Sequence, residues 1–310
     1  MPGLKAAEQP TFYFIGVTTG QSSIMRVFPK WAEILGINAL IRGIDLPLHA
    51  PVEDYRRTTR FLKEDPLSLG ALVTTHKLDL YQACRDMFDR IDPYAKKLAE
   101  VSSLSKQNGA FCAHAKDPIS SGLALESFVP PGFWADHGGE VLLLGAGGSS
   151  LAMSLYFSQE RFGENVPRRI TIANRSEGRL KSAAAALQGL NKKIDFRFLP
   201  CPTPMDNDRL IAALPPYSLV VNATGLGKDA PGSPTTEAVS YPENSLVWEI
   251  NYRGDLIFMY QAEAQKKAKN LHVENGWNYF IHGWTQVIAE VFHITIDRQM
   301  LERLSDLAKD

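Results

Sequence analysis

The chain of 310 residues is 45% apolar and 22% charged with a formal net charge of −1, the balance of a soluble globular protein with room for one large or two ordinary domains. Its basic runs stop at pairs such as Arg56–Arg57 and Lys266–Lys267, which argues against nucleic acid or an anionic membrane as partner, since neither binds without a concentrated basic patch. No apolar stretch approaches the roughly 18 residues of a membrane span. The start lacks a signal-peptide core, and Cys84, Cys112 and Cys201 have no CxxC spacing, so a cytoplasmic location is the expectation.

"TFYFIGVTT" predicts a first strand over residues 11–17. In "MRVFPKWAEILGI" the residues Val27, Trp31, Ile34 and Leu35 recur at helical spacing, and Pro29 is assigned to the first turn or just before it, where its missing N–H costs nothing. "NALIRGIDLP" reads as a strand, "VEDYRRTTRFLKED" as an amphipathic helix and "LGALVTT" as a third strand; alternation of this kind predicts an α/β unit with mostly parallel strands. "DLYQACRDMFDRIDPYAKKLAEV" is helical with a break at Pro93, and "VSSLSKQNGAFCAHAKD" is a hairpin about Asn108–Gly109. After a helix in "PISSGLALESF", the Pro/Gly-rich "VPPGFWADHGG" marks a hinge. The second half alternates again. "EVLLLGAGG" runs into a helix, followed by "RRITIANRS", the helix "EGRLKSAAAALQGL", "KIDFRFLP" and "DRLIAALPPYSLVVNATGLG". A strand "NSLVWEINY", one long helix "GDLIFMYQAEAQKKAKN" and a last helix "WNYFIHGWTQVIAEVFHI" complete the pattern.

A glycine cluster signifies a dinucleotide when a strand precedes it, a helix follows it and a second strand ends in a ribose-reading residue. All three conditions hold here. Gly145, Gly147 and Gly148 let the backbone approach a pyrophosphate over the positive end of the next helix, which Ser149 helps to open. Ser150, at the third glycine position, is small enough for helix–strand packing. The second strand ends in Asn174, Arg175 and Ser176, with Arg179 beyond, in place of an acid. A guanidinium and a hydroxyl suit a 2′-phosphate, so the expected cofactor is NADP. The small residues of "LVVNATGLG", with Asn222, Thr224 and Gly225, leave room beside a nicotinamide.

The order of these motifs resembles the shikimate dehydrogenase family, quinate/shikimate dehydrogenases included. The resemblance covers most of the chain: Gly70, Ala71, Val73, Thr74 and Lys77, then Asp117, "GAGG", "NRS", "VNATG" and Asn251–Tyr252. It implies a substrate-binding domain over 1–120 completed by 270–310, and an NADP-binding Rossmann domain over 121–269. It also implies that Lys77 and Asp117 are the catalytic pair, and that Ser22, Ser23, Thr74, Ser102, Tyr252 and Gln286 contact substrate. From the residues alone, a lysine can take the hydroxyl proton while hydride leaves, and a carboxylate can hold it in register. Asp117 before Pro118 also fits a helix N-cap, and the two roles can coexist.

Departures from the family pattern fall on the substrate clamp. In "GQSSIMRVFPKW", Ser22 matches the first of two carboxylate-binding serines, and only a one-residue shift brings Ser23 onto the second. Leu72 replaces an asparagine, the proline before the lysine is missing, and Ser102 and Ala115 stand where the family has ring-binding asparagines. His282 competes with Gln286 for the glutamine position. His76, His114 and Lys116 flank the proposed pair and are either new substrate contacts or ordinary loop residues. Trp277, Tyr279 and Trp284 read as packing of the last helix. A buried polar group left unpaired costs about 1–3 kcal/mol, so an altered ring substrate is expected. The same architecture resembles methylenetetrahydrofolate dehydrogenases, and a non-catalytic NADPH sensor is the other alternative. No metal-ligand spacing appears. The oligomeric state is open, a homodimer included.

Overall fold

In the computed structural model, residues 4–227 and 230–309 are described; Lys228 and Asp229, within the stretch after "VNATG", lie outside them. The chain divides into two compact units, Met1–Lys116 with Gly283–Asp310, and Asp117–His282.

The first unit runs β1 (Thr11–Gly16), α1 (Ile24–Leu35), β2 (Leu40–Asp45), α2 (Val52–Glu64), β3 (Ser68–Val73), α3 (Lys77–Cys84), β4 (Arg90–Ile91), α4 (Pro93–Leu98), β5 (Ser103–Gln107) and β6 (Ala110–His114). Its sheet has the order β2-β1-β3-β5-β6-β4. The β1–β2 and β1–β3 pairs are parallel, whereas β5 runs antiparallel to both β3 and β6. All six residues of β1 are buried, as an apolar strand covered on both faces requires. Asn108 and Gly109 both adopt positive φ, 51° and 78°, the conformation a two-residue hairpin turn needs.

The second unit contains α5 (Asp117–Glu126), α6 (Phe133–His137), β7 (Val141–Leu144), α7 (Gly148–Phe157), β8 (Arg169–Asn174), α8 (Glu177–Ala186), β9 (Asp195–Pro200), α9 (Pro204–Ala212), β10 (Leu219–Asn222), β11 (Leu246–Glu249), α10 (Ile257–Glu263), α11 (Lys266–Lys269) and β12 (His272–Glu274). Every strand pair in its sheet is parallel, in the order β12-β11-β10-β7-β8-β9. Counted within the unit, that is the 3-2-1-4-5-6 arrangement of a doubly wound dinucleotide-binding fold, with the switch point between β7 and β10. The chain ends in α12 (Trp277–Phe292) and α13 (Arg298–Lys309).

Several elements differ from expectation: the helix expected over 79–101 gives way to β4 ahead of Pro93, α6 forms inside the stretch read as a hinge, and β12 falls where no element was assigned. Pro29 lies inside α1, which begins at Ile24 because the carbonyls of Ser22 and Ser23 already accept from Met25, Arg26 and Val27. The helix tolerates the missing bond because Val27, Phe28, Trp31 and Ala32 bury one face. The single long helix expected at 254–270 is two, α10 and α11. Gln265 breaks it: its side chain accepts from Tyr241 N at 3.2 Å and donates to Val239 O at 2.8 Å, drawing the backbone out of register. Finally, α13 follows the last expected helix. Its Leu304 is fully buried, and the Leu304 carbonyl accepts from Trp31 Nε1 at 2.8 Å.

Candidate functional site

In the second unit, the turn from β7 to α7 is built around Gly145. Its φ is +106°, and a Cβ there would lie 2.6 Å from the Ala223 carbonyl, so only glycine fits. Ser150 is fully buried and donates to Gly145 O at 2.6 Å, closing the turn from below. A Cβ on Gly147 would meet nothing within 4 Å; it faces open space over the first-turn N–H groups of α7. Asn174 braces the turn from β8, accepting from Ala146 N at 3.4 Å and donating to Ser176 O at 3.2 Å. Ser176 caps α8 by accepting from Arg179 N at 3.4 Å.

These residues line a cavity of about 590 Å³ that includes Gly145, Gly147, Asn174, Arg175, Ser176, Arg179 and Thr224. Arg175 and Arg179 are exposed and make no ion pair among the described residues. The cradle therefore offers backbone room, a helix N-terminus and two uncommitted guanidiniums, a donor set that fits a phosphorylated dinucleotide. Four expected cofactor residues do not line it. Gly148 opens α7, Ser149 Oγ accepts from Tyr279 at 3.3 Å, Asn222 is fully buried, and Gly225 sits in the adjoining loop. Thr203 and Asn207 line the cavity unforeseen. Their signal was a capping box, Thr203 to Asp206 with Pro204 at the first helical position.

Beneath the cavity wall, Asn222 belongs to a buried network. Its Nδ2 donates to Glu249 Oε2 at 2.6 Å, and its Oδ1 accepts from Thr224 N at 3.1 Å and Thr224 Oγ1 at 2.7 Å. Asn251 donates to Glu249 Oε1 through its backbone N at 2.9 Å and its Nδ2 at 2.7 Å. Glu249 is fully buried, and burial pushes its carboxyl up to about 7 against these hydrogen bonds. Tyr252 packs on Phe280 with ring centroids 4.4 Å apart. Asp117, buried, is the first residue of α5 with Pro118 behind it, and its carbonyl accepts from Ser120 Oγ at 3.3 Å.

In the first unit, Lys77 is half-buried and opens α3. Its N–H reaches Thr74 O at 3.2 Å, and its carbonyl accepts from Val101 at 3.1 Å. Thr74 Oγ1 donates to Ile15 O at 3.2 Å. Ser22 and Ser23, half-buried, form the entry to α1, and Gln286 is half-buried on α12. Ser102 is buried, and its Oγ accepts from Lys116 N at 2.7 Å. His76 is buried, with Nδ1 at 3.0 Å from Tyr55 Oη; burial, then Asp79, pushes that phenol up to about 12. His114 and Lys116 are not loose loop residues. Lys116 pairs with Glu290, whose other oxygen lies 3.3 Å from His114 Nε2, while Ser105 Oγ is 3.1 Å from the same nitrogen. Burial holds the His114 imidazole below its ordinary value despite Glu290. No group of three or more His, Cys, Asp or Glu side chains suited to a metal occurs among the described residues. None of their helices is long and apolar enough to cross a membrane.

A parallel sheet in this order, with a glycine turn at its first helix and arginines after its second strand, defines an α/β protein of the dinucleotide-binding class. No protein-family model matches the chain. Among curated proteins it is similar to the "Shikimate dehydrogenase (NADP(+))" of Methylobacterium radiotolerans, 24% identical over 255 residues and 78% of each chain. That of Bacillus cereus is 25% identical over 224 residues, 72% of each. Among solved structures, shikimate dehydrogenase of Thermus thermophilus in complex with NADP(H) and shikimate aligns with a TM-score of 0.69 at 20% identity, over 96% of this chain and 99% of that one. Quinate dehydrogenase of Corynebacterium glutamicum in complex with NAD gives 0.70 at 18%, over 96% and 98%. The 5-ketofructose reductase of Gluconobacter sp. gives 0.69 at 16%, over 96% and 98%. The curated relatives it resembles are thus NADP-dependent shikimate dehydrogenases at about a quarter identity, and the solved structures share its fold.

Proposed function

We propose that this protein is an NADP-dependent oxidoreductase that reversibly oxidises a secondary ring alcohol on a shikimate- or quinate-like hydroxylated carbocycle. The observation that carries this reading is the cavity over the Gly145 turn, where Arg175 and Arg179 stand uncommitted beside the end of β8. Gly145 and Gly147 would admit the pyrophosphate to the N-terminus of α7, and Arg175, Ser176 and Arg179 would hold the 2′-phosphate. Bound NADP supplies a hydride acceptor. Residues 1–116 with the last helices would bind the substrate, and residues from Asp117 onward the cofactor.

Lys77 would take the proton from the substrate hydroxyl at Nζ as the carbonyl forms, and return it in the reverse direction. Asp117 would hold that ammonium and the hydroxyl in line. Both are first residues of helices, α3 and α5, positions fixed by backbone geometry rather than by a flexible loop. Ser22, Ser23, Thr74, Tyr252 and Gln286 are the remaining substrate contacts. Ser102 Oγ accepts from Lys116 N–H and donates to His114 O at 3.5 Å, so it would meet substrate through its remaining lone pair.

The altered clamp argues for an altered ring. Sites that hydrogen-bond a substrate hydroxyl discriminate sharply between analogues, and Ser102 and Ala115 have replaced two such groups. A panel of shikimate, quinate, other cyclic polyols and keto sugars, followed by NADPH absorbance, tests this. Activity on a ring alcohol other than shikimate is expected. Efficient shikimate turnover would mean that other groups have replaced the clamp, and competition by a folate analogue would point to the pterin alternative.

A further inference from the structure

We infer that Glu249 is the positioning residue of the cofactor cavity: its carboxylate sets the orientation of two asparagine amides, and these clamp the loop that forms one cavity wall. The inference rests on the reading of that cavity as an NADP site.

The geometry is a chain of hydrogen bonds with a single polarity. The ionised carboxylate accepts one donor from Asn222 at Oε2 and two from Asn251 at Oε1. With its NH₂ turned toward Glu249, Asn222 presents Oδ1 to Thr224, which donates both its N–H and its hydroxyl there. Thr224 Oγ1 in turn accepts from Leu226 N at 3.1 Å. Both amides also donate to Leu226 O at 3.3 Å. Residues 222–226 are thus held at Thr224 and at both ends of Leu226, and Ala223, Thr224 and Leu226 line the cavity.

Reversing one amide reverses everything beyond it. A protonated Glu249 presents an O–H where Asn222 Nδ2 now points. If the amide turns to accept that proton, its NH₂ faces the two Thr224 donors, and the wall loses its tie. Cofactor binding to the ordered wall should therefore be linked to loss of a proton from Glu249. The surroundings leave few competitors for this titration. Among the described residues no cation pairs with Glu249, Tyr241 shares its field together with that of Asp208, and His272 and Glu274 on β12 face each other at 3.4 Å.

The test is NADPH binding by fluorescence from pH 5.5 to 8.5 for wild type, Glu249→Gln and Glu249→Asp, with circular dichroism and thermal unfolding alongside. Wild-type Kd should rise by up to about tenfold per pH unit below 7. The 2′-phosphate, with its own pKa near 6, contributes equally to all three profiles, so their difference isolates residue 249. Glu249→Gln should bind several-fold more weakly at pH 8 and lose that difference at low pH, while Glu249→Asp should recover the pH dependence. Superimposable wild-type and Glu249→Gln profiles would overturn the inference while leaving the NADP site intact. Absence of NADPH binding by the folded wild type at every pH would instead overturn the cofactor reading. If Glu249→Gln does not fold, a wild-type profile with no component beyond the phosphate titration overturns it equally.

Discussion

Gly145→Ala should damage the fold and the cofactor site together, by an amount the turn geometry sets. An alanine at φ +106° occupies backbone space that L-residues avoid, at a cost of order 1–3 kcal/mol. Its Cβ would sit 2.6 Å from Ala223 O and 2.9 Å from Ala223 C, where ordinary contact begins at 3.4 Å. Ala223 cannot simply withdraw, because its N–H is bonded to Leu144 O at 2.8 Å and the next residue is tied to Asn222. Overpacking of this kind adds about 1–3 kcal/mol. Urea unfolding followed by tryptophan fluorescence should thus report a loss of about 2–6 kcal/mol, with NADPH affinity falling at least tenfold. Gly147→Ala is the control: its Cβ meets nothing within 4 Å. It should leave stability within about 0.5 kcal/mol of wild type yet weaken NADPH by occupying the space over α7. Equal stability of Gly145→Ala and wild type would refute the reasoning.

Further outcomes are expected elsewhere. Removing both guanidiniums, Arg175→Ala with Arg179→Ala, should weaken NADPH about 10- to 100-fold, since hydrogen bonds to charged groups are worth about 1.5–3 kcal/mol. NADH binding should change little, and raised salt should shrink the difference, as calorimetry would show. Burial raises Glu249 from 4.5 to about 7, so the unfolded chain releases this proton first as pH rises. Relative to Glu249→Gln, wild-type stability should therefore decline by about 3 kcal/mol between pH 4.5 and 7 and level off above it; a parallel pair of stability curves would contradict the buried carboxyl. Lys116→Met removes the partner of the half-buried Glu290 carboxylate. It should destabilise by about 1–3 kcal/mol, with Lys116→Arg recovering part of the loss in the same unfolding assay.

Much of this architecture was legible in the sequence because its signals are local. Four apolar residues running into "GAGG" can form little but a buried strand and a tight turn, and "NG" between alternating runs fixes a hairpin. The α/β class and the glycine-turn cavity followed from such stretches. Signals that depend on distant partners were not legible. Gln265 splits a helix because it bonds to residues 239–241, which no periodicity reveals. Pro29 is tolerated inside α1 through burial of that helix's apolar face. Asn222 looked like a cofactor contact from its motif, yet its amide is turned inward by Glu249, a residue 27 positions along the chain. The Lys116–Glu290–His114 cluster likewise joins β6 to α12 across the sequence.

The most direct test of the proposed chemistry is NADP⁺ reduction by wild type and Lys77→Ala on shikimate, quinate and other cyclic polyols, with NADPH binding measured in parallel. Turnover of at least one ring alcohol by wild type is expected, lost by a factor of about 10² or more in Lys77→Ala, with NADPH binding unchanged. Turnover that survives the substitution would contradict the role of Lys77. Silence across the panel from a wild type that binds NADPH tightly would contradict the dehydrogenase and leave an NADPH-binding sensor.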